Sequence, residues 1–120
     1  MFLEHRDREE RPWGLYERFT HNERSTVKIL SILPGKELSL QTHEKRSEFW
    51  RILAGSGIVT KGSGEYPATP GDEFEIAPEM PHRIAAGPGG VTVLEIALGE
   101  FDENDETRLE DDYGRASPDS

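Results

Sequence analysis

Glycine and proline punctuate this chain closely, and no stretch before residue 100 offers an amphipathic helix. The breaks fall at Pro34-Gly35, Gly55, Gly57, Gly62, Gly64, Pro67, Pro70-Gly71, Pro78, Pro81 and Gly87-Pro88-Gly89-Gly90. Between them lie short stretches with period-two alternation or β-branched enrichment. These predict strands near 14–20, 26–33, 37–43, 48–53, 56–61, 64–68, 73–77, 81–86 and 91–98. Many short strands with turn signals between them specify an all-β sandwich or small barrel. At 120 residues the chain suffices for one domain with one core.

Charge divides the chain unevenly. Residues 1–98 carry 12 Lys+Arg against 15 Asp+Glu, whereas 99–120 carry two Arg against nine acids. Most of the net charge of −10 therefore sits on a C-terminal segment. With no basic cluster, nucleic acid is not an expected partner. There is no cysteine, hence no disulfide framework and no thiolate metal site. The opening MFLEHRDREERPWG has no apolar h-region, and no apolar run approaches the roughly 20 residues that span a bilayer. The expectation is a cytoplasmic protein that does not engage membranes. The expected divisions are an N-terminal extension over 1–10, a barrel over 11–98 and an acidic extension over 99–120, its last residues flexible.

The segment LSLQTHEKRSEFW, residues 38–50, concentrates the chemistry. Strand side chains alternate faces, so Gln41 and His43 point one way, and Glu48, Trp50 and Ile52 share a face on the next strand. A short turn over 44–47 would pair these two strands antiparallel and bring His43 to Glu48. His82 follows a turn-rich approach, PGDEFEIAPEMPH. Two imidazoles and a carboxylate suit a divalent transition metal: Zn foremost, with Mn, Fe, Co or Ni as alternatives. The carbonyl of Gln41 is a weaker ligand that would complete the shell. Any one of these residues alone reads more simply as a packed or solvated strand residue; together they favour a metal site.

These residues resemble the cupin pattern. Its first motif sets Gly, five residues, His-x-His, three or four residues, Glu, six residues and Gly. Here Gly35, Gln41-Thr42-His43, Glu48 and Gly55 fall in that frame, with Gln replacing the first His. The second motif is matched by Gly71-Asp72 through Pro81-His82. Ala77, Glu79 and Ala86 stand where it has Pro, Gly and Asn. The resemblance implies a double-stranded β-helix, a jelly-roll-like small barrel. Arg11-Pro12-Trp13-Gly14, Gln41-x-His43, Arg46-x-Glu48-x-Trp50, His82-Arg83, Gly99-Glu100 and the ending EDDYGR narrow it further. Over about residues 11–115 the chain resembles the type II phosphomannose isomerase domain of bifunctional mannose-1-phosphate guanylyltransferases. That family commonly has further histidines where this chain has Lys45 and Phe49. The guanylyltransferase domain has no counterpart here, so nucleotide transfer is not expected of this chain. Gln41-x-His43 is also similar to the zinc-binding strand of type I phosphomannose isomerases, whose ligands are Gln, His, Glu and His.

The resemblance implies interconversion of mannose 6-phosphate and fructose 6-phosphate, a proton transfer between C1 and C2 through an enediol. It calls for a Lewis acid and for a group of pKa near the working pH. Glu95, Lys45 or a water held in the site would move the proton. Glu95 sits on the alternating strand Val91, Val93, Glu95, Ala97, and burial there would raise its pKa. Lys45, Arg46 and Arg83 are the candidate phosphate-binding residues. Surface charge is the plainer account of all three. Two other functions compete: a non-catalytic cupin that binds a sugar phosphate or nucleotide sugar, and a cupin dioxygenase, which Gln41 disfavours. Open sheet edges in so small a barrel lead to the expectation of a homodimer.

Overall fold

The computed structural model describes residues 3–100, 102 and 104–111; most of the EDDYGR ending and the expected flexible terminus lie outside them. All nine elements among the described residues are strands, in line with the all-β expectation. A two-stranded hairpin of β1 (Asp7–Arg11) and β2 (Gly14–Arg18) turns at Pro12-Trp13. Seven strands form the barrel: β3 (Ser25–Ile32), β4 (Leu40–Thr42), β5 (Arg46–Lys61), β6 (Gly64–Ala68), β7 (Glu73–Ile76), β8 (His82–Gly99) and β9 (Thr107–Glu110).

Two long strands organise everything else. β5 and β8 run antiparallel from Arg46↔Gly99 to Lys61↔His82. One half of β5 takes β7 as its second partner and the other half takes β6. β8 likewise takes β3 along one half and β4 at His82↔Gln41 in the other. The ladder thus bends into two facing walls, β3-β8-β5-β7 and β9-β4-β8-β5-β6. The segments expected as separate strands 48–53/56–61 and 81–86/91–98 are each one bent strand. The bend falls at the glycines, where the register shifts between Ile52/Ala54 and between Gly55/Gly57. The backbones touch there: a Cβ on Gly55 would stand 2.2 Å from the Gly90 carbonyl oxygen, and one on Gly57 2.2 Å from that of Ala85. Only glycine permits that approach.

Between the walls pack Trp50, Ile52, Val59, Ala68, Ile76, Ile84, Val91 and Val93. These are the inward positions of the period-two pattern. A second cluster covers the outer face of one wall, where Leu3 packs with Phe49 and Ile96. Arg6 fastens this N-terminal segment by ion pairs to Glu17 and Glu73, its guanidinium lying 5.5 Å from the Phe49 ring centre.

One strand pairing differs from expectation. β4 does not lie beside β5; its partners are β8 and β9. The segment 43–45 is a corner between the walls rather than a hairpin turn. β9, drawn from the acidic C-terminal segment, covers the open side of β4.

Candidate metal centre

Three strands and one corner deliver the proposed ligands. β4 presents Gln41, the corner after it His43, β5 Glu48 and the start of β8 His82. Both imidazoles and the carboxylate are buried, with His43 3%, Glu48 2% and His82 1% exposed. Their ligand atoms lie within 4.8 Å of one another. Glu48 bridges the imidazoles, its Oε2 3.5 Å from His43 Nε2 and its Oε1 3.5 Å from His82 Nε2.

Backbone carbonyls fix which ring nitrogen faces inward. His43 donates from Nδ1 to the Asp105 carbonyl at 2.8 Å, and His82 from Nδ1 to the Met80 carbonyl at 2.8 Å. Each therefore turns a basic Nε2 toward Glu48, the tautomer a metal requires. Burial lowers the pKa of His82, prevailing over the Glu48 carboxylate and the Met80 carbonyl, which act to raise it. Its Nε2 is buried without a hydrogen-bond partner among the described residues, as is Gln41 Oε1. Orphaned buried acceptors are uncommon in folded proteins, and an ion held at this site would give them a partner. The donor set fits a divalent metal, and His43, Glu48 and His82 could hold one.

The corner is tied down from two sides. Asp105 accepts from the backbone N–H groups of Glu44 and Lys45 at 2.9 and 2.8 Å. Burial works to raise the Asp105 pKa, but these two donors prevail and hold it below the usual carboxylate range. From the other side, the Glu79 N–H donates to the His43 carbonyl at 2.6 Å. Glu79 takes a φ of +67°, the left-handed backbone for which the motif supplies glycine.

A pocket of about 160 Å3 opens beside the ligands, lined in part by Lys28, Gln41, Arg46, Trp50, Glu95 and Glu106. Glu95 is buried at 7% exposure, and its carboxyl is pushed up to about 7 by burial and then by the charge of Glu48; Lys28 and Arg46 pull the other way. Arg46 is itself buried, donating from Nε to Glu48 at 3.1 Å and from Nη2 to His43 Nε2 at 3.2 Å. Arg83 points away from His82, as its neighbouring position on the strand dictates. It donates to the Leu38 carbonyl at 2.9 Å and pairs with Glu37 and Glu110. Lys45 is exposed on the corner and does not line the pocket. Lys28, which the sequence reading passed over, does line it, directly across the strand pair from Glu95.

Fold and site together define a cupin. The chain belongs to the family described as mannose-6-phosphate isomerase C-terminal, whose sequence model matches residues 3–111. It is 35% identical over 108 residues to the xanthan biosynthesis protein XanB of Xanthomonas campestris, covering 88% of this chain and 23% of that protein. Identity to the alginate biosynthesis protein AlgA of Pseudomonas aeruginosa is 36% over 110 residues, 89% of this chain and 23% of that one. To the mannose-1-phosphate guanylyltransferase ManC of Salmonella typhimurium it is 36% over 108 residues, 88% and 22%. The chain thus spans less than a quarter of the length of these relatives. Among solved structures it resembles a putative sugar phosphate isomerase from Acidithiobacillus ferrooxidans, with a TM-score of 0.59 and 27% identity over 65% of this chain and 51% of that one. The capsular polysaccharide assembling protein CapF of Staphylococcus aureus shares the fold, with a TM-score of 0.67 and 19% identity over 88% of this chain and 32% of that one. No helix of the described residues is long and apolar enough to cross a membrane.

Proposed function

We propose that this chain is a metal-dependent sugar-phosphate isomerase that interconverts mannose 6-phosphate and fructose 6-phosphate. The observation that carries this reading is the buried carboxyl of Glu95, pushed up to about 7, in the same pocket as the Gln41, His43 and Glu48 side chains. Family membership supplies the substrate class.

The reaction moves one proton from C2 of the open-chain aldose to C1 and a hydroxyl proton from O2 to O1. Glu95 is proposed as the group that takes the C2 proton as a carboxylate and returns it to C1 as the acid. A pKa near neutrality suits both halves, because each form is populated at the working pH. A divalent metal held by His43, Glu48, His82 and Gln41 would supply Lewis-acid stabilisation of charge on the sugar oxygens. Lys28 and Arg46 are the cations lining the pocket among the described residues. Lys28, across the strand pair from Glu95, is proposed to meet the phosphate. Trp50 and the core behind it close the inner wall against water.

Metal content and mannose 6-phosphate turnover, measured with and without chelator, test the proposal. Chelator-sensitive turnover is the expected result. Metal binding with no turnover on any hexose phosphate would favour the competing reading, a cupin that binds a sugar phosphate or nucleotide sugar without transforming it. Failure to bind metal after reconstitution would sink the catalytic reading.

A further inference from the structure

We propose that Arg46 is a built-in competitor for the metal site: its guanidinium holds His43 and Glu48 together in the metal-free protein and must give up His43 for an ion to enter. The inference rests on the reading of His43, Glu48 and His82 as metal ligands and goes beyond it.

Contacts with Glu48, His43 and Asp102 hold the guanidinium among the described residues. Nε donates to Glu48 Oε2 at 3.1 Å, Nη2 to His43 Nε2 at 3.2 Å and Nη1 to the Asp102 carbonyl at 3.3 Å. The side chain is 7% exposed and therefore largely desolvated. The contact with His43 is the decisive one. Nδ1 of that ring is committed to Asp105, so Nε2 has a single in-plane lone pair. That lone pair serves either the arginine N–H or a metal, never both. An arginine cannot retreat by losing its proton, because its pKa lies far above any working pH. The competition is therefore one of position.

Electrostatics points the same way. In the metal-free protein the guanidinium pairs with the buried Glu48 carboxylate and, with Lys28, opposes its effect on Glu95. A divalent ion at the ligands sets two further positive charges beside Arg46, and the repulsion is strong in so dry a site. The consequence is weaker metal affinity than the bare ligand set would have, together with a site that stays assembled when empty. His82 Nε2 and Gln41 Oε1 lie outside the arginine's reach and keep no partner.

The test compares zinc affinity, by competition with a chromophoric chelator, in the full chain and in its Arg46→Met and Arg46→Gln variants. The glutamine retains a neutral donor for Glu48 and guards against a folding failure of the methionine variant. Both are expected to bind zinc at least tenfold more tightly than the parent. Nitrogen-15 spectra of the unaltered protein give a readout that needs no variant. Zinc should shift the Arg46 Nε–H and the His43 Nε2 signals together, at the same zinc occupancy. Equal or weaker zinc binding by the variants, or a His43 shift with Arg46 unmoved, overturns this inference and leaves the metal site standing. Absence of zinc binding in parent and variants alike overturns the metal reading as well.

Discussion

Asp105 holds His43 across 62 positions of sequence: its carbonyl accepts the Nδ1 proton at 2.8 Å while its carboxylate accepts the N–H groups of the two residues that follow His43. The acidic C-terminal segment is thus part of the site. Asp105→Ala removes both side-chain acceptors and frees the corner. Metal affinity is expected to fall about 10–100-fold, the usual cost of losing a partner that orients a ligand. Asp105→Asn, which keeps one acceptor oxygen, should lose less. Isothermal titration with zinc checks both, and an unchanged affinity in Asp105→Ala would show that the Asp105 carboxylate does not help to position the ligand.

Glu48 is bound up with a buried cation. Glu48→Ala leaves the Arg46 guanidinium without its carboxylate, and breaking such a pair costs about 3–5 kcal/mol. Urea unfolding in the presence of chelator should register that loss independently of any metal. A cost under about 1 kcal/mol would mean that the pair matters little to the fold.

Glu95 makes the stability of the metal-free protein depend on pH. Its folded pKa of about 7 lies above its ordinary 4.5, so the native state binds the extra proton between those values. Stability from this group is complete below about pH 4.5 and is lost as pH rises through about 7. The loss reaches about 3 kcal/mol at most. Melting temperatures of the parent and of Glu95→Gln, followed from pH 5 to pH 8 with chelator, should diverge in favour of the variant as pH rises. Parallel curves would show that Glu95 titrates normally.

The bend has its own test. Gly57→Ala drives a Cβ to 2.2 Å from the Ala85 carbonyl oxygen, a backbone atom that cannot swing aside. The expected cost is about 3 kcal/mol or more, the upper end for overpacked sites. Gly35→Ala, where φ is +71° but the space is open, should cost only about 1–2 kcal/mol. Equal melting temperatures for the two variants would refute the close approach of β5 to β8.

Much of this was legible in the sequence. Period-two alternation with regular Gly and Pro breaks gives the all-β barrel, and the Gly35-to-Gly55 frame identifies the cupin. The pairing of β4 was not legible, because two strands separated by a four-residue turn look like a hairpin. Only the closed barrel shows that β8 has already taken the neighbouring place. β1 and β9 were missed for a local reason: DREER and TRLE carry no apolar alternation, and their strands are held by cross-strand pairing. The inward face of β3 was hidden by symmetry. Both of its faces are rich in apolar residues, so the inward one could not be read from composition. The fold buries the face carrying Lys28 and Leu30 in part and leaves Val27 at 58% and Ile29 at 63% exposure. A lysine among β-branched residues gave no hint that it faced the pocket.

Glu48 and His82 lie near opposite ends of the β5–β8 ladder, Glu48 opposite Ala97 and His82 opposite Lys61. They meet only because the ladder doubles over at its glycines. No fragment of the chain, and no half-paired hairpin, can therefore present both ligands at once. Contacts this distant in sequence make folding slow, since the loop entropy is spent before the contacts form. A metal that needs both ligands recognises only the finished barrel, so it would act on the rate of unfolding and leave the rate of folding unchanged. In a chain built this way the ion is a lock turned after closure, with no part in drawing the walls together.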